Sequence, residues 1–309
     1  MIIDNNPDMR WQDQDYGFSL LELMVSLTVM LIIAGASLSA LSYSQKLFSS
    51  QQSQADMHAG LRGTFELMTQ EIGQAGGLNF TPQTLGAAVT GGASGQTVTL
   101  SSTANIFIGE QLTIDTGSAQ EIVAVTAIPS SYQVTGIFKQ SHINGVPVVV
   151  RGVFPQGVLS TSTATSLKLF GDINADSSLA YVQYDCNTAA GTLTRSITTL
   201  APGVTTRNTS QTLLTNLIAN PGGTPCFQYG TAVAVTVGAT TYTFIPSVAL
   251  SLTVQTAKRD QQTGAFVTMT KSFSNLSSRN ILAGLTLAQA SPPITNRLQA
   301  TPPGLPLGP

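Results

Sequence analysis

The sequence predicts an α+β protein in which one long N-terminal helix packs part of its length on a β-rich head. Three observations carry this reading. Phe18 to Tyr43 is an unbroken apolar run with one charge, Glu22. Leu47, Gln51, Gln54, His58, Leu61, Phe65, Met68 and Ile72 then follow at alternating steps of four and three, the spacing of a single helix face. After Pro82 the chain turns to short alternating or β-branched segments separated by Gly, Ser and Pro, as strands and turns are.

The first element is the apolar run. At about 1.5 Å per residue, Phe18–Tyr43 is long enough to cross a hydrocarbon core of about 30 Å. A cleaved secretory signal has a basic start and an apolar core of only about 7–15 residues. Here the run is longer and its approach is acidic, with Asp4, Asp8, Asp13 and Asp15 against Arg10. The segment therefore reads as a retained membrane helix. The heptad-like seam extends it to about Gln74, polar in its first half and apolar in its second, with Gly76-Gly77 as the stop. Gly35, Gly60 and Gly63 are places where it could bend.

Next come QTVTL, IFIGEQLTI, AQEIVAVTAI and YQVTGIF, a compact β-module. TSLKLFG, LAYVQYD, GTLTRSIT, AVAVTVGATTYTFI, SVALSLTVQTAK and GAFVTMTKSF form a second strand-rich block. The expected organisation is a leader over 1–17, a helix over 18–77 (18–43 in the membrane), a β-rich region over 78–154 holding a module at about 90–150, a β-rich head over 155–290 and a flexible Pro-rich tail over 291–309.

Composition bounds the function. Of 309 residues only 9% are charged, and the formal net charge is −2. No strong field makes nucleic acid a required partner. Cys186 and Cys226 stand 40 positions apart in the distal half. If that half is extracytoplasmic, a disulfide is the natural reading, and two buried thiols are the alternative. Neither cysteine has a His or a further Cys within ten residues to complete a zinc site.

The stretch Gly17-Phe18-Ser19-Leu20-Leu21-Glu22, its apolar helix and the amphipathic continuation resemble the class III signal of type IV pilins and type II secretion pseudopilins. That pattern needs Gly before the cut, an apolar residue after it and Glu fifth in the mature chain; Gly17, Phe18 and Glu22 match. The resemblance implies that a prepilin peptidase and N-methyltransferase cuts between Gly17 and Phe18 and methylates the new Phe18 amine. It also implies an inner-membrane, single-pass subunit with a periplasmic head that joins other major and minor pilins and reaches the cell surface. Glu22 would then pair with the Phe18 amine of a neighbouring subunit, because an unpaired carboxylate in an apolar bundle is costly. The leader departs from the family's basic habit. Met9 offers a second start. LRGTFELMTQEIGQAGG (61–77), GDINADSSLAYVQYDC and SVALSLTVQTAKRD resemble PilW-type minor pilins and the type II pseudopilin J. The expected function is a minor pilin acting in assembly or at the tip. A J-like pseudopilin, and an adhesin acting through the module, are the alternatives.

Other constellations are weaker. Asp172, Asn174 and Asp176 are spaced like the first calcium-loop ligands, although Ser177 stands where that loop wants Gly and Gln183 where it wants Glu. The competing reading is a polar turn. His58 and His142 read as isolated, Glu66 and Glu71 as a solvated helix face, and no spacing joins Glu110 to Glu121. With no legible His–carboxylate or Cys–His set, the sequence is read as non-enzymatic, with no cofactor beyond that calcium candidate.

Overall fold

The computed structural model describes residues 19–80, 82–103, 106–201, 203–294 and 297–308. Helix α1 spans Leu20–Gln74 as one piece, running through Gly35, Gly60 and Gly63 without a break. Ser19 caps it, its side chain accepting a hydrogen bond from the Leu21 amide at 3.2 Å. The apolar first half is exposed, with a mean hydropathy of 2.1 over its most apolar stretch. In the second half Leu61, Thr64, Phe65, Met68, Glu71 and Ile72 are buried. The apolar end of the predicted seam is thus the face that packs. The helix stops where Gly76 turns to φ +76°, and a Cβ there would lie 2.7 Å from the Phe154 carbonyl oxygen.

Beyond α1 the chain leaves and returns through neighbouring strands, Gly77–Asn79 antiparallel to Arg151–Val153. Between them lies a module of two small antiparallel sheets. One orders Gln83–Thr84, Pro147–Val149, Gln111–Ile114 and Glu121–Ala124; the other orders Gln96–Thr99, Gln133–Gly136 and Ala127–Ser130. Inward residues of both sheets, among them Val98, Leu112, Ile114, Val123, Val134 and Val148, share one apolar core. That core runs on into Phe154, Phe170 and Tyr181, so the module is fused to the head. The predicted segment AQEIVAVTAI divides in two, breaking between Ala124 and Ala127.

The head holds a four-stranded antiparallel sheet of Ser166–Gly171, Ala180–Asn187, Thr192–Thr199 and Gln211–Thr215. Its second sheet centres on Val248–Gln255, with Leu217–Ile218 and Phe227–Tyr229 along one edge and Thr268–Leu276 along the other. A hairpin joins Val233–Val237 to Thr240–Phe244. Helix α2, Arg279–Gln289, completes the core together with the buried face of α1. It also finishes α1, whose last carbonyls lack partners within the helix. Asn280 Nδ2 donates to the Gln74 carbonyl at 2.9 Å, and the Ser278 hydroxyl donates to that of Ala75.

The tail corrects an expectation. Read as flexible because of its prolines, it is docked. Leu298 and Leu307 are buried, and Gln299 exchanges two hydrogen bonds with the Gln111 backbone at 2.8 and 3.1 Å. Apolar side chains between the prolines have a place to bury, which outweighs the stiffness of the segment around them.

Candidate functional site

Gly17 and Phe18 lie outside the described residues. Glu22 is in the first turn of α1 and exposed, a position the positive end of the helix dipole favours for a carboxylate. Around it Leu20, Leu21, Leu23, Met24 and Val25 are all more than half exposed. The N-terminal end of α1 is therefore an apolar rod carrying one charge.

The C-terminal half of the rod is joined to the head by a charge that sequence reading placed in solvent. Glu71 is buried, and Arg195 on Thr192–Thr199 grips it with Nη2 on Oε1 and Nε on Oε2, the latter at 3.3 Å. The Tyr184 hydroxyl donates to the same carboxylate. Burial, and then the neighbouring Glu71 charge, push the Tyr184 hydroxyl far above its usual pKa, so it stays a donor. The seam pattern showed which residues face inward only for apolar side chains. A buried glutamate looks solvated until its arginine is found 124 residues away.

A second join lies nearer the membrane end. Along α1, Phe65 meets Phe273 edge-on with ring centroids 5.2 Å apart, and Lys271 stands 5.1 Å over the Phe65 ring. The turn beyond that strand reaches Ser50, whose hydroxyl donates to Asp260 Oδ2. Asp260 Oδ1 accepts from the amides of Gln262 and Thr263 at 3.0 and 2.8 Å. The Ser50 hydroxyl and then these amides hold the Asp260 carboxyl down to about 2.

Cys186 and Cys226 form a disulfide. It links Ala180–Asn187 of the first head sheet to the residue preceding Phe227–Tyr229 of the second.

In the module, His142 is not isolated. Its ring is fully buried, with Nδ1 3.1 Å from Asp115 Oδ2 and Nε2 2.7 Å from Glu121 Oε1. Glu121 also accepts from the Lys139 and Gln140 amides at 2.8 and 3.2 Å. Burial by itself would lower the His142 pKa, but the bonds and charges of Glu121 and Asp115 outweigh it and the net shift is upward. Both ring nitrogens are occupied, so the arrangement is a clasp and leaves no nitrogen for a substrate or a metal. At the other end of the strand pair Gln111–Ile114 and Glu121–Ala124, Glu110 is fully buried, Oε1 lacks a partner, and desolvation holds its pKa well above the ordinary carboxylate value.

The loop from Asp172 is a turn capped by its own carboxylates. Asp172 is buried and accepts from the amides of Asp176 at 3.0 Å and Ser177 at 3.3 Å; Asp176 Oδ1 accepts from the Ser178 amide at 2.9 Å. Asn174 shares the Asp176 carboxylate. Among the described residues no group of three or more His, Cys, Asp or Glu side chains is placed to hold a metal ion.

A family model describing the prokaryotic N-terminal methylation motif matches residues 14–38. The match covers the Gly17-Phe18 junction, Glu22 and the exposed apolar half of α1 as far as Leu38. The chain therefore carries a prepilin-type class III signal, and the signal implies processing by a prepilin peptidase and assembly with other pilins. With the apolar helix it supports a type IV pilin-like or pseudopilin-like protein, a structural subunit anchored in a membrane. No curated protein and no solved structure matches the chain.

Proposed function

We propose that this chain is a PilW-type minor pilin, an inner-membrane subunit with a periplasmic head that joins a type IV pilus at its initiation complex or tip. The observation that carries the reading is one continuous helix whose first half bears the methylation motif and stays unburied, while its second half is clamped to a head. The bare half suits two surroundings, a bilayer or a bundle of similar helices, and the head suits neither. Glu22 supplies the one charge in such a bundle, pairing with the methylated Phe18 amine of a neighbour and so setting axial register. Bulk favours the tip, since a module fused to the head leaves less room for close repetition along a shaft.

Mass spectrometry of the mature chain tests the class: a methylated Phe18 at the N-terminus supports it, and an uncut leader overturns it. Glu22→Ala tests the role of the carboxylate. It should leave insertion and cleavage intact and reduce incorporation into filaments by at least tenfold; unchanged incorporation overturns that role.

The module favours a second reading, an adhesin presented by the filament. Tyr132 and Ile143 are exposed on it, at 59% and 73%. Because its core is shared with Phe154, Phe170 and Tyr181, deleting it would damage the head. The cleaner test is Tyr132→Ser with Ile143→Ser. Lost attachment with filaments intact supports adhesion; unchanged attachment leaves assembly as the module's purpose.

A further inference from the structure

The turn that reaches Ser50 has a direction and a charge that the assembly reading does not use. From Phe273 beside Phe65 to Asp260 beside Ser50, this hairpin descends α1 towards its N-terminus, across 15 helical residues or about 22 Å. Its turn carries Lys258 and Arg259, both exposed, which line a small recess together with Ser49, Ser50 and Ser53 of α1. Lys46 stands one turn below Ser50 on the same face and is also exposed. Three cations therefore collect where the hairpin meets the rod. The nearest carboxylate, Asp260, is engaged by Ser50 and its own turn amides; Asp56, further up, accepts from Gln52 at 2.7 Å.

Position along the helix says what these cations face. A hydrocarbon core of about 30 Å takes about 20 residues of helix, and each headgroup layer adds about 5–7 Å. Counted from Leu20, the core ends near Ala40, and Tyr43 falls at the interface where aromatic rings collect. Lys46 then lies at the outer edge of the headgroups, with Ser50 about 6 Å beyond. Lys258 and Arg259 sit at the height of Ser50, and the exposed Lys258 stem extends its charge towards the headgroup layer. Arg259 donates Nη1 to the Gly264 carbonyl at 3.0 Å and stacks 4.7 Å over Phe266, itself 36% exposed, so the turn offers a ring as well as charge to an interface.

We infer that the Lys258–Arg259 turn, with Lys46, is a docking surface for anionic phospholipid headgroups on the head side of the membrane. It would hold the head at a fixed height and orientation until the subunit is withdrawn. The inference rests on the anchor reading above, and its test separates the two. The full chain, carrying a fluorophore on Gln262→Cys, is placed in nanodiscs of phosphatidylcholine alone or with one quarter phosphatidylglycerol, each doped with a headgroup-quencher lipid. A second sample labelled at Ser39→Cys is read against an acyl-chain quencher.

Quenching at Gln262→Cys should be at least threefold greater with phosphatidylglycerol. It should fall to the neutral-lipid level in 0.5 M salt and in Lys258→Gln/Arg259→Gln. Because Arg259 also braces its turn, Lys46→Gln/Lys258→Gln serves as a milder variant and should lose about half of the effect. Equal quenching in both lipids, or no loss in either variant, overturns the docking surface while Ser39→Cys still reports a spanning helix. No acyl quenching at Ser39→Cys overturns the anchor as well. Impaired filament assembly in the variants with quenching unchanged gives the cations to a protein contact, and overturns the headgroup assignment too.

Discussion

At the scale of single residues, two buried ionisable groups of the module, His142 and Glu110, move stability with pH in the same direction for different reasons. The His142 pKa is raised in the fold. Its contribution is therefore complete below the unfolded value of about 6.5 and is lost as pH rises through the folded value. The difference in melting temperature between the wild type and His142→Gln should shrink from pH 6 to pH 9; a difference that stays flat would mean the clasp is not charged. Glu110 is also raised, through desolvation, so its cost begins above the ordinary glutamate value and grows with pH. Glu110→Gln should be near neutral at pH 4.5 and stabilising at pH 8, by roughly 1–3 kcal/mol given the orphaned oxygen. Thermal melts at the two pH values decide it. The His142 clasp was not legible in the sequence. Asp115, Glu121 and His142 sit on three separate segments, and only the sheet register brings them to one point.

Among the elements, α1 was readable almost to the residue and α2 was not. Membrane-length hydropathy and a long seam are local signals, and they survive whatever the rest of the chain does. Helix α2 is short and carries Gly284 in its middle, which reads as a breaker. The glycine is there for packing: a Cβ would lie 2.7 Å from Val153 Cγ2. Strands with β-branched alternation were likewise visible, while Gln211–Thr215 and Phe227–Tyr229, short and without it, were missed. The Glu71 contact gives this scale its prediction. Removing one partner of a buried pair strands the other, so Glu71→Ala should cost about 3–5 kcal/mol. Arg195→Ala should cost about as much, and the double variant less than the sum of the two. Denaturant titration of the three proteins checks this, and additive losses would refute the coupling.

For the whole molecule, the disulfide is a side-chain cross-link between the two head sheets, added to the main chain that joins them. Closing a loop of 40 residues restricts the unfolded chain by about 4 kcal/mol. Cys186→Ser/Cys226→Ser should lower head stability by about that amount, seen as increased amide exchange in Ala180–Asn187 and Phe227–Tyr229, with the apolar half of α1 unaffected. The α+β plan was legible because its signals are composition and period. The docked tail was not, since proline content describes how stiff a segment is and not whether a groove awaits it.

The paired strands Gly77–Asn79 and Arg151–Val153 set how this subunit would bear load. Only a few residues of backbone separate the end of α1 from the module. Tension applied to the module enters the rod along that tether. Because the module also shares its core with the head, and Glu71 and Ser278 fasten the head to α1, a pull on the module is borne by tether and head together.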